Sequence, residues 1–293
     1  MDNYTPPFTI TNTILSLVAS ISEKIGRIAL LSNLEAKPHL RKNNQIKSIH
    51  SSLKIEANSL SLNQVRDVIN GKLVLGEQKE IQEVKNAYAA YGKISEINPY
   101  SISDLKKFHG IMTKYIEEES GEFRHGEEGV FHGSECIFMA PPAQFVPQLM
   151  EQLFNWMKRN QVEVHPLILS CIFHYEFVFI HPFSDGNGRM ARLVHLWFLI
   201  QKGYRSALFI PFSDRIEKSR KAYYDAFTVI EENKKLCGRI DVTPFLLYFT
   251  EYVYNKMDEG GVAAETLQAY EYAVKNGGIT EKEARLFQFV LSS

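Results

Sequence analysis

The chain has 293 residues, 45% of them hydrophobic and 23% charged, with a formal net charge of −1, the make-up of a globular protein with apolar content for one large core or two ordinary ones. So balanced a charge excludes a chain-wide field for nucleic acid or an anionic membrane, and any anion site must be local. Three widely spaced cysteines, Cys136, Cys171 and Cys237, form no CxxC pair, which argues against a disulfide framework or a zinc ribbon and fits a reducing compartment. The start, Met1 to Pro7, lacks the basic and apolar regions of a signal peptide. No run of about 18 apolar residues occurs, so a cytoplasmic location without a membrane span is expected.

In chain order, Ile14, Leu17, Val18, Ile21, Ile25 and Ile28 recur at three- and four-residue steps and predict a core-facing helix. Helical periodicity returns over residues 78–94 and 103–116. Residues 121–142 break the pattern with four glycines, short β-prone pieces and the stop Pro141-Pro142, which predicts a β-hairpin lying over the surface. Val146, Leu149, Met150, Leu153, Phe154 and Trp156 then predict a helix over 145–157. Residues 165–179 and 189–201 are nearly all apolar and predict buried central helices. Asp258 to Val262 reads as a linker, followed by one helix and the capped start of another, Thr280 with Glu283. The expected fold class is all-α, with one hairpin and a short C-terminal helical extension.

The chemistry concentrates between the two apolar helices, in His181-Pro-Phe-Ser-Asp-Gly-Asn-Gly-Arg-Met-Ala-Arg192. A Gly-Asn-Gly loop opening onto a helix lets backbone N–H groups converge, and the helix start adds unsatisfied donors and a positive dipole end. Arg189 and Arg192 share a helical face near that end, and two guanidiniums beside such a nest suit a polyphosphate. Asp185 is positioned to hold Mg²⁺, which needs few protein oxygens. His181, at the head of the loop, is placed to accept a proton from an incoming nucleophile. Each residue alone reads as an ordinary turn feature. Gathered within twelve positions between apolar helices, they are costly unless something binds there.

This run resembles the Fic-family motif HxFx(D/E)GNGRxxR at all eight specified positions. The likeness extends over roughly residues 1–255. It includes Leu40 to Val65, Gly121-Glu-Phe-Arg124 with Pro141-Pro142, Tyr223-Tyr224 and Thr243-Pro244-Phe245. It implies a mainly helical Fic fold with an N-terminal region (1–115) and a catalytic core (116–257) carrying a flap (121–142). The last segment (258–293) resembles the opening of a winged helix. The implied activity is protein adenylylation, AMP passing from ATP to a Ser, Thr or Tyr hydroxyl of a target protein, with Mg²⁺, or Mn²⁺ in its place. On that resemblance His181 is the base and Asp185 the metal ligand. Gly186, Asn187 and Gly188 cradle the phosphates, Arg189 holds the inner ones and Arg192 the third, and Phe183 anchors the loop. Tyr223 and Tyr224 resemble an adenine-lining pair. Neighbours on a helix point about 100° apart, so one is expected to face the pocket and the other the core, Tyr224 being the better pocket candidate. Val130, Phe131, His132 and Gly133 of the flap would receive the target as an added strand.

Ser52-Leu-Lys-Ile-Glu56-Ala-Asn58 resembles the family's inhibitory motif (S/T)xxxE(G/N). It implies an inhibitory helix near residues 48–60, in which Glu56 pairs with Arg192 and blocks the third phosphate. Ala57 departs from the usual Gly or Asn. A positive φ there would cost about 1 kcal/mol; the expectation is that Ala57 lies within the helix, where alanine is favourable. Self-modification and a homodimer fit the family. Glu56, His181 and Asp185 would serve removal of AMP equally, and a regulatory protein with a winged-helix-like end is the alternative outside catalysis. That segment has no basic cluster for nucleic acid. P-loop, HExxH and GxSxG signatures are absent. His174-Tyr-Glu176 lacks the PCxxC of a zinc deaminase, so His174 is expected to be a satisfied core residue.

Overall fold

The computed structural model describes residues 4–31, 38–132, 135–204 and 211–255, with positions 276 and 280. Apolar periodicity becomes helix where it was expected. The elements are α1 (Asn12–Leu31), α2 (Pro38–Ile55), α3 (Leu62–Ile69), α4 (Gln78–Gly92), α5 (Ile102–Met112), α6 (Val146–Asn160), α7 (Pro166–Ile180), α8 (Asn187–Gln201), α9 (Phe212–Lys218), α10 (Arg220–Cys237) and α11 (Thr243–Tyr248). A π-helical turn, Phe249–Tyr254, continues α11. The fold is helical, and its two-stranded sheet pairs β1 (Gly129–His132) with β2 (Glu135–Met139).

Local chemistry sets the helix ends. Ser61 and Gln64 close a reciprocal capping box on α3, and the Ser101 hydroxyl accepts the Asp104 N–H at the start of α5. Pro166 occupies the first turn of α7, where its missing N–H costs nothing. Gly238, at φ 70°, ends α10. The most closely paired helices are α7 and α8. Both are buried on nearly every side, as their unbroken apolar sequences require. One hydrophobic cluster runs from Ile14 to Tyr254, so the N-terminal helices and the motif-bearing pair share a core. Helix α2 packs on α3, α4, α8 and α9, bringing residues 52–56 beside the start of α8. The segment before α1 is stitched to the far end of the fold: Val242 N–H donates to the Pro7 carbonyl at 2.8 Å and Thr9 N–H to Thr243 Oγ1 at 2.8 Å.

Two local expectations change. The hairpin proper begins at Gly129, and residues 121–128 form turns and irregular chain before it. Its register, Val130 opposite Phe138 and then Phe131 opposite Cys136, leaves Ile137 as a bulge. Ala57 is not helical. Helix α2 stops at Ile55, and Ala57 takes φ 67°. Asn58 N–H reaches back to the Leu53 carbonyl at 3.1 Å and Ala57 N–H to that of Lys54 at 3.2 Å, which is the bonding of a Schellman motif with alanine in the position glycine usually holds. Gly133 and the expected extension 258–293, apart from positions 276 and 280, lie outside the described residues. Among the described residues no helix is long and apolar enough to cross a membrane.

Candidate active site

His181 ends α7 in the left-handed region, φ 51° and ψ 61°. That turn throws the chain out of the helix and begins the loop leading to α8. The imidazole Nδ1–H donates to the Val178 carbonyl at 3.3 Å, which leaves Nε2 as the free acceptor. Burial pushes this imidazole below its ordinary pKa; the Val178 bond works against that and the Arg124 charge adds to it.

The loop is braced from inside. Asn187 spends its side-chain amide on Phe183: Oδ1 accepts the Phe183 N–H at 3.0 Å and Nδ2 donates to its carbonyl at 2.6 Å. The Phe183 ring is fully buried and stacks on His109 at 3.7 Å between centroids, 3° from parallel. His109 in turn donates from Nε2 to the Asp185 carbonyl at 2.9 Å, while its Nδ1 accepts the Gly121 N–H at 2.9 Å. Burial lowers its pKa to about 4, so it is a neutral strut of fixed tautomer between the loop and the approach to the hairpin. Gly186, at φ 82°, leaves no room for a side chain: a Cβ would meet Thr113 Cγ2 at 3.1 Å and His109 Nε2 at 3.5 Å.

The start of α8 gathers the charges. Arg189 Nη2 bonds Asp185 Oδ1 at 2.7 Å and its Nη1 lies 3.3 Å from Glu83 Oε1. Burial alone would raise the Asp185 carboxyl, but the Arg189 guanidinium and the Gly186 N–H hold it below its ordinary value. Arg192 is 1% exposed; it donates from Nε to Ser52 Oγ at 2.9 Å, and from Nη2 to the Ser52 carbonyl at 2.9 Å and to Glu56 Oε1 at 2.7 Å. The Glu56 carboxylate therefore lies over the start of α8. A Cβ built on Gly188 would clash with Glu56 Oε1, so the space left by the missing side chain is occupied by that carboxylate. The turn carrying Glu56 is also tied to α4: Asn58 Nδ2 donates to Glu83 Oε2 at 2.8 Å and Ser59 N–H to Glu80 Oε1 at 2.5 Å.

Thus His181, Phe183, Asp185, Gly186, Asn187, Gly188, Arg189, Arg192, Ser52 and Glu56 meet at one place. The adjacent tyrosines divide. Tyr223 is buried, its hydroxyl bonding His174 Nε2 at 3.0 Å, and Tyr224 is 49% exposed. His174 also meets His195, Nδ1 to Nδ1 at 3.2 Å, which makes it a satisfied core residue. The backbone of Val130, Phe131 and His132 forms β1. Two residues the sequence reading did not assign hold the loop in shape, His109 and Arg124. Arg124 is 2% exposed, and its guanidinium donates to the carbonyls of His181 at 2.6 Å, Gly126 at 2.7 Å and Pro141. It pins the turn after α7 to both ends of the hairpin segment. Its place in Gly-Glu-Phe-Arg124 was the available signal; His109 offered only a lone histidine on an apolar helix face.

Comparison with known proteins agrees with this architecture. The Fic/DOC family model matches residues 99–199. A protein adenylyltransferase Fic from Culex quinquefasciatus is 28% identical over 224 residues, covering 73% of this chain and 41% of its own length. One from Drosophila mojavensis is 27% identical over 253 residues, covering 82% and 46%. The chain spans less than half the length of these curated relatives. Among solved structures, a Fic family protein from Desulfovibrio desulfuricans G20 is 39% identical with a TM-score of 0.81, covering 89% of this chain and 78% of that one. A Fic domain containing signaling protein from Bacteroides thetaiotaomicron VPI-5482 shares the fold at 19% identity and a TM-score of 0.66, covering 81% of this chain and 94% of that one.

Proposed function

The chain belongs to the Fic family, and from that premise we propose that it transfers AMP from ATP to a serine, threonine or tyrosine hydroxyl of a target protein, with Glu56 holding the activity down. What supports this is the convergence of one free imidazole nitrogen, one carboxylate and two buried guanidiniums on a glycine-lined helix start. His181 Nε2 takes the proton of the target hydroxyl, and its lowered pKa keeps it neutral and able to do so at neutral pH. The hydroxyl oxygen bonds the α-phosphorus, the bond to the bridging oxygen breaks, and pyrophosphate leaves. The N–H groups at the start of α8, with Arg189 and Arg192, hold the phosphates in line and oppose their charge.

Among the described residues no group of three or more His, Cys, Asp or Glu converges on a metal position. A single protein carboxylate suffices when phosphates complete the shell, and Asp185, with 36% of its side chain exposed beside Arg189, fits Mg²⁺ or Mn²⁺ in that way. Such an ion would add charge neutralisation at the phosphates. Tyr224, the accessible ring of its pair, is the candidate adenine contact. A target segment would lie along the hairpin backbone.

Glu56 and a third phosphate cannot share Arg192. The carboxylate takes one guanidinium nitrogen and places a like charge where the phosphate would go. Incubation with an ATP analogue tagged on adenosine tests both parts, comparing wild type, His181→Ala and Glu56→Gly. Label should be weak in wild type, about ten-fold or more stronger in Glu56→Gly, and lost in His181→Ala. Label that persists without His181 would sink the transfer mechanism. No gain in a Glu56→Gly protein that still binds ATP would sink the inhibition.

A further inference from the structure

Along α7, bounded by Ile180 just before the loop, lies a cavity of about 300 Å³, walled by Tyr4, Phe145, Leu149, Tyr175, Glu176 and Phe179 among others. That is the lower end of the roughly 300–1,000 Å³ that small-molecule sites occupy. Its side chains are apolar and aromatic apart from the Glu176 carboxyl and the hydroxyls of Tyr4 and Tyr175. The N-terminal strap forms one wall, fixed by the Pro7 bond to Val242 and by Arg159 Nη2 donating to the Tyr4 carbonyl at 3.4 Å. The rim is open at Phe145, which is 46% exposed.

Glu176 is 5% exposed. Burial raises its pKa to about 7, and the bond from the Tyr4 hydroxyl is the only influence lowering it. Among the described residues it has no counter-ion: burial and the Tyr4 bond are the influences on it, and Arg124, nearby on the Pro141 and Ile180 carbonyls, is spent on backbone oxygens. Lys234 of α10 stands over the Phe179 ring at 5.5 Å, and Arg159 is engaged with the Tyr4 backbone; neither offsets the carboxyl. Glu231 of α10 adds no positive charge; burial, Glu176 and Glu231 together disfavour ionisation of the Tyr175 phenol. Above that pKa the ionised carboxylate is costly without a cation, and aromatic faces around it attract one.

We propose that this cavity binds a small organic ammonium ion with an apolar body, its charge on Glu176 and its body against Phe145, Tyr175 and Phe179. The inference is independent of the adenylylation reading. It explains together the open apolar volume, the aromatic walls and a carboxyl with no partner of opposite sign among the described residues.

The probe pair is 2-phenylethylammonium and its neutral counterpart 2-phenylethanol, measured by calorimetry on the full chain at about pH 8, where Glu176 is ionised and the amine charged. The expected result is saturable binding of the amine, about ten-fold or more tighter than the alcohol, with that preference gone in Glu176→Gln. Leu149→Trp, which fills the cavity from α6, should abolish binding of both. In wild type, binding of the amine should weaken about ten-fold between pH 8 and pH 5.5 as Glu176 gains its proton; the Tyr4 and Tyr175 phenols, raised by burial, stay neutral throughout. An amine that does not saturate, binds no better than the alcohol, or binds Leu149→Trp unchanged would overturn the proposal. Should Glu176→Gln fail to fold, the wild-type pH profile decides: a flat profile overturns it.

Discussion

Ala57→Gly isolates the turn that presents Glu56. Alanine at φ 67° sits where a Cβ crowds the following carbonyl oxygen, at a cost of about 1–2 kcal/mol. The Ala57 side chain is exposed, so its loss gives up little packing. Against the relief stands the extra freedom glycine has in the unfolded chain, about 0.4–1 kcal/mol. The net expectation is a gain of about 0.5–1 kcal/mol. For a chain of this size that is roughly 1–4 °C in Tm. Calorimetric or circular-dichroism unfolding reads the shift, and slower hydrogen exchange at the Asn58 amide, which bonds back to Leu53, reads the tightened turn directly. Basal labelling should stay at or below wild type, because the substitution firms the presentation of Glu56. A lowered Tm, or a looser Asn58 amide, would show that the α2 terminus is not held by this motif and that Glu56 is positioned by something else.

Acidity gives two further tests. The folded chain holds His109 near a pKa of about 4, against about 6.5 when unfolded. Between those values the unfolded chain binds the proton and the folded chain does not, so stability falls as pH drops from about 6.5 toward 4, by up to about 1.4 kcal/mol per unit for this group. His109→Gln should flatten that slope, read as urea midpoints at about pH 7 and 5; His195, also lowered by burial, to about 3, leaves a residual slope. On the proposed mechanism His181 must be neutral, and burial favours the neutral form. The acid limb of kcat/KM should therefore have its midpoint below about 6.5, and a midpoint above that value would contradict His181 as the base.

The helices were legible because their apolar residues repeat at the helical period, and α7 and α8 because uninterrupted apolar sequence has nowhere to go but the centre. The loop was legible because its residues are adjacent in the chain. Contacts that join distant positions were not. His109 meets Asp185 across 76 residues and Arg124 meets His181 across 57; Gly-Glu-Phe-Arg124 marked a family-like segment without naming its partner, and His109 had not even that. The left-handed turn at Ala57 was hidden for a different reason: without glycine the sequence carries no stop signal, and the helical reading ran one turn too far. The split between Tyr223 and Tyr224 follows from the helical angle, yet which ring turns inward depends on His174, placed by another helix.

The occupied space above Gly188 constrains how this chain can vary. A methyl group there would collide with Glu56 Oε1, and on the proposed mechanism it would collide equally with the phosphate that replaces it. If the proposed inhibition holds, Glu56 and the phosphate share a single vacancy, and no mutation at position 188 would separate release from loss of activity. On that proposal, variants that escape control while keeping function are expected in the distant stretch from Ser52 to Asn58, or at the α4 carboxylates Glu80 and Glu83 that moor it.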